Sequence, residues 1–157
     1  MIVITIIGCT NDVPKDLPKC YPCQITVVQD GAPLADATVT LLSPEMGQKW
    51  FPLGSTDQTG TANVLTNGRY HGAPEGTYKI RVYKAVKGAS RFGPPPPEDS
   101  PDYQAWIERS GDEVIPEYLV VEPQYNDAQK TPHEIEVKKK GPNKITVDVG
   151  KPVKIRI

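Results

Sequence analysis

The chain has 157 residues, and 18 Lys+Arg stand against 19 Asp+Glu for a formal net charge of −1. That length fits one domain with its own core, and the charge balance supplies neither the basic excess of a nucleic-acid binder nor an acidic solvating tail. Proline (17) and glycine (13) are abundant, few windows carry a 3.6-residue apolar rhythm, and many short runs alternate with period two, which together indicate an all-β domain with long loops.

The chain opens MIVITIIGCT, and Ile2 to Ile7 is its only sustained apolar run. It is far shorter than the roughly 18 residues that span a bilayer. As a strand it is apolar on both faces and needs central burial. The polar, proline-bearing TNDVPKDLPK that follows reads instead as a linker. As the end of an export signal, the run is a short apolar core closed by a small residue. Ile6-Ile7-Gly8-Cys9 resembles the lipobox of bacterial lipoproteins. The resemblance implies that 1–9 is a signal remnant, that Cys9 is the lipid-attachment residue, and that 10–20 is a tether. It also implies a membrane-anchored place in the cell envelope, at the outer membrane or on the periplasmic side.

Three cysteines are present, Cys9, Cys20 and Cys23. Lipidation of Cys9 leaves the pair in CYPC, which is either a small disulfide loop or two free buried thiols. A redox pair belongs at a helix N-terminus after a strand, and this one precedes a strand. A zinc site needs two further ligands at matching spacing, and His71 and His133 are isolated. No metal or cofactor is expected.

From Cys23 the alternation becomes regular. Cys23, Ile25 and Val27 share one face of a strand that Asp30-Gly31 ends with a turn. Ala37, Val39 and Leu41 define a second strand. Asp57 to Gly60 is a turn before a strand with Ala62 and Val64. Tyr78, Ile80 and Val82 line another. HEIEVKKKGPNKITVDV predicts a hairpin, with Ile135 and Val137 facing Ile145, Val147 and Val149, and KKK at 138–140 forming its solvated end. Val153, Ile155 and Ile157 alternate in a tail strand. About seven strands with one apolar face each pack as two sheets.

Three stretches, DGAPLADATVTL, TDQTGTANVLT and GAPEGTYKIRVYK, occur in that order. The ordered set resembles the transthyretin-like (prealbumin-like), Ig-like β-sandwich of carboxypeptidase-regulatory-like domains in exported bacterial lipoproteins. The resemblance covers about 21–149, and with the tail strand it implies a sandwich over 21–157. Tyr78 is expected as a corner tyrosine whose hydroxyl finds a backbone partner.

The pattern lapses in an insertion, 87–117. Its PPPP predicts a stiff polyproline-II rod. Ser100 before Pro101 predicts an N-cap and a helix over 101–109. Tyr103, Trp106 and Ile107 lie on one face of that helix, which predicts docking on the sandwich. The other reading of the insertion is a ligand-facing loop.

Catalytic signatures are missing. The chain ends KPVKIRI and lacks the YRGS-like ending of transthyretin-type ring-opening hydrolases. It has no H-x-H of the kind iron-dependent dioxygenases of related fold use, and no G-x-S-x-G, H-E-x-x-H or phosphate loop. The expected role is therefore non-catalytic: an envelope-anchored domain that binds a protein or carbohydrate partner, or that is structural. The alternative is an accessory or degenerate enzyme domain holding a small polar ligand under the 87–117 loop. Trp50, Tyr70, His71 and Trp106 are the candidate binding surface. Carbohydrate binding requires Trp50, Tyr70 and Trp106 to form one solvent-facing platform.

Overall fold

The computed structural model describes residues 13–45, 47 and 49–157. Cys9 and the apolar run before it lie outside the described residues, as does the question of lipid or strand. In chain order the described elements are β1 (Cys20–Tyr21), β2 (Cys23–Gln29), β3 (Ala32–Pro33), β4 (Thr38–Leu42), β5 (Pro52–Ser55), β6 (Thr61–Asn63), β7 (Leu65–Thr66), β8 (Tyr70–His71), β9 (Ala73–Pro74), β10 (Gly76–Tyr83) and β11 (Ala85–Lys87). Helix α1 (Tyr103–Ser110), β12 (Glu117–Leu119), a 3-10 turn at Pro123–Asn126, β13 (Glu134–Val137), β14 (Asn143–Asp148) and β15 (Ile155–Arg156) follow.

Two sheets make the body. One has six strands in the order β13-β10-β4-β5-β7-β8, and the other has four, with β14 on one side of β2 and β3 and β6 on the other. Period-two alternation gives each sheet one apolar face. Val39, Leu41, Tyr78, Ile80, Val82, Ile135 and Val137 from the first merge with Cys23, Ile25, Val27, Ala62 and Val147 from the second in one buried cluster. The result is sandwich-like and all-β apart from the short α1. A third sheet, β11-β12-β15, and a two-stranded pair, β1-β9, lie outside the main two.

Several turns take the backbone their residues favour. Asp30 and Gly31 both have positive φ (51° and 77°), the conformation that Asp-Gly supplies cheaply in a tight turn. Asp57 Oδ1 accepts from the backbone N–H of Thr59 (2.8 Å) and Thr61 (3.1 Å) and from the Thr59 hydroxyl (2.6 Å). These bonds, the Thr59 hydroxyl first, hold its carboxyl below the usual range. The expected tyrosine corner is present: the buried Tyr78 hydroxyl donates to Pro74 O at 2.9 Å.

Four expectations need correction. The 134–149 segment is not a hairpin. β13 pairs antiparallel with β10, whereas β14 pairs parallel with β2, so the chain crosses from one sheet to the other. Ile135, Val137, Val147 and Val149 still meet in the core, because burial of the apolar face is satisfied from either sheet. The strand expected around Ala62 and Val64 also changes sheets: β6 pairs with β2, and after Val64 β7 pairs with β5. The helix begins at Tyr103 rather than Pro101, because Ser100 caps a preceding turn, its Oγ accepting from Asp102 N (3.2 Å) and its carbonyl from Tyr103 N (3.0 Å). Finally, α1 buries no residue, so its apolar face does not join the core.

Strand β5 carries no sequence signal, since Pro52 and Gly54 interrupt any β pattern. Gly54 is needed where it sits: a Cβ there would come within 2.8 Å of Asn63 O.

Candidate functional site

The insertion is the loop of a β-hairpin. β11 and β12 pair antiparallel, closing with Lys87 opposite Glu117, and Gly88 N donates to Pro116 O at 2.7 Å. Everything from 88 to 116 therefore leaves and re-enters the body at adjacent points.

Glu113 ties the loop to its own neck. Its Oε2 accepts from the Ser90 hydroxyl at 2.5 Å, and its Oε1 accepts from Arg91 N at 2.8 Å. The Arg91 guanidinium stands 3.9 Å away and is mostly exposed, while the Glu113 side chain keeps only 11% of its exposure. The Ser90 hydroxyl first, then the Arg91 N–H, hold this carboxyl below the ordinary glutamate range. Arg91 also lies over the Phe92 ring, 4.7 Å from its centroid.

Between this neck and α1 lies a cleft of about 540 Å³, lined by Ala89, Ser90, Gly93, Pro94, Pro95, Trp106, Ile107, Ser110, Gly111, Glu113 and Ile115. Its walls are proline, isoleucine and indole, and Glu113 is the charged residue among them. The apolar face of α1 that was expected to dock on the sandwich thus turns to its own loop. The Trp106 indole N–H is shut away from solvent without a hydrogen-bond partner, while Trp106 itself is part of the cleft lining.

A second cleft, about 510 Å³, lies at the ends of β2, β6 and β14 and is lined in part by Pro22, Gln24, Asn63, His71, Gly72, Asn143 and Lys144. It is more polar, and much of its polarity is already engaged. Gln24 Nε2 donates to Asn63 Oδ1 at 3.1 Å, and Asn143 is tied to Pro22 O and to both backbone groups of Lys138.

The four residues of the expected binding surface are divided. Trp106 lines the first cleft, His71 the second, and Trp50 and Tyr70 neither. Lys49 sits over the Trp50 ring at 5.3 Å and Arg69 over the Tyr70 ring at 5.8 Å, so each ring already has a cation near one face. Neither cleft brings Trp50, Tyr70 and Trp106 together in its lining. Sequence reasoning missed Glu113, since nothing in a chain with 19 acids distinguishes this one. Its neighbours across the hairpin neck do.

Cys20 and Cys23 are unbridged in this structure, Cys23 buried and Cys20 half-buried. Cys23 faces the core, where burial pushes its thiol up to about 11, and Cys20 Sγ lies 3.5 Å from Thr66 Oγ1 as a weak donor. Among the described residues no group of three or more His, Cys, Asp or Glu is placed to hold a metal ion. None of the described helices is long and apolar enough to cross a membrane. No protein-family model, curated protein or solved structure matches the chain.

Proposed function

We infer that the chain is a non-catalytic binding module, held at the bacterial cell envelope by a lipid on Cys9, with 88–116 as its binding element. The scaffold is a transthyretin-like β-sandwich in this reading, supported by the three ordered motifs and by the structural work their residues do at Asp30-Gly31, Asp57 and Tyr78. The observation that carries the reading is the insertion. It closes on itself around an apolar cleft of about 540 Å³, a size suited to a small ligand, and contributes no buried side chain of α1 to the core.

The test is a fragment screen against isotope-labelled protein, read by backbone amide shifts. Hits that perturb 89–115 and are recovered chemically unchanged are the expected result. Hits confined to the sandwich, or turnover of a hit, would overturn it. The anchor is tested by labelling cells with a palmitate analogue, where Cys9→Ser should abolish the label.

A further inference from the structure

The chemistry of the insertion cleft is selective. Its Pro94, Pro95, Trp106, Ile107 and Ile115 walls are apolar, and Ile107 and Ile115 still keep 38% and 37% of their exposure. Apolar surface left open at a concave site favours a ligand with an apolar body. One lining residue, Glu113, carries a charge. Its carboxylate is fixed in place by the Ser90 hydroxyl and the Arg91 N–H, and these two bonds leave acceptor positions unused, since a carboxylate offers about four. The nearest cation, Arg91, stands 3.9 Å off and is turned largely to water, where its field is screened.

The sign of that charge decides between ligand classes. A neutral apolar ligand filling the cleft strips the remaining water from the carboxylate and gives nothing back. An anion adds repulsion. A cation pairs with the carboxylate as it is desolvated, and an aromatic residue in the lining, Trp106, adds to the preference for a cation. We propose that the 88–116 cleft is a binding site for a small organic ammonium ion with an apolar body, its nitrogen at Glu113 and its body against Trp106 and the prolines. This rests on the insertion being the binding element.

Three near-isosteric probes test it on the unmutated protein: benzylammonium, benzyl alcohol and benzoate, each titrated at pH 7 while backbone amide shifts are followed. Benzylammonium should perturb 89–115 saturably and bind roughly tenfold tighter than the alcohol, and benzoate should not saturate. Glu113→Gln should bring the amine and the alcohol together. Because that change also loosens the neck, the comparison of probes on the wild-type chain is the deciding one. Equal binding of amine and alcohol at 89–115 overturns the ammonium assignment and leaves the insertion as binding element. Absence of any shift at 89–115 with all three probes overturns both.

Discussion

Tyr78 shows how a single side chain links sequence to fold. Its ring is buried with Ile80 and Val82, and its hydroxyl reaches back to Pro74 O at 2.9 Å, fixing the corner through which the chain enters β10. Tyr78→Phe keeps the ring but leaves a buried carbonyl short of its donor, so it should cost about 1–3 kcal/mol in urea denaturation. A loss within error would mean that the corner is held by its surroundings alone. Burial, first of all, also raises the Tyr78 hydroxyl and the Cys23 thiol above their ordinary values, the latter to about 11. The sign follows from proton uptake. Between the unfolded thiol's value near 8.5 and the folded value, the native state holds a proton that the unfolded chain has released. This contribution is complete below the unfolded value and is lost as pH rises through the folded one. Tm should therefore fall with rising pH above about 9, and Cys23 should alkylate far more slowly than half-buried Cys20. A flat alkaline profile in wild type would contradict this burial. The tyrosine corner was legible from its motif. Glu113 was not, because its role comes from Ser90 and Arg91 across a hairpin neck that no local pattern announces.

At the scale of elements, period two was readable and pairing was not. The alternation of Cys23, Ile25 and Val27 or of Val39 and Leu41 dictates which side chains go inward, and they do. It does not dictate the neighbour. The close spacing of β13 and β14 looked like a hairpin, yet each strand pairs in a different sheet, β13 antiparallel to β10 and β14 parallel to β2. β5 was invisible because its backbone must pass close behind Asn63, which calls for Gly54 rather than for a β-branched residue. Gly72 marks another such passage. A Cβ there would lie 2.0 Å from Tyr21 O, and its φ is +90°. Gly72→Ala should destabilise by about 3 kcal/mol or more by forcing β1 off β9, visible as loss of amide protection at Cys20 and Tyr21. Retained protection there would show that the loop absorbs the methyl group without moving β1.

Across the whole molecule, two kinds of structure are joined at the β11–β12 neck. The body buries its apolar faces between two sheets, whereas the insertion is attached through the Lys87–Glu117 pair and the Gly88–Pro116 bond and folds around its own cleft. The expected docking of α1 failed for a physical reason: Tyr103, Trp106 and Ile107 are too few to outweigh the surrounding Asp102, Gln104, Glu108 and Arg109, which keep the helix at the surface. A body that owes the insertion no core side chain should survive without it. The most direct measurement replaces 88–116 with an Asn-Gly turn, which suits a two-residue hairpin loop, and compares the melting and fragment binding of that variant with wild type. A Tm within a few degrees of wild type together with loss of every fragment that perturbs 89–115 is the predicted result. An unfolded variant, or one that keeps those fragments, would contradict the assignment of the insertion as a separable binding element.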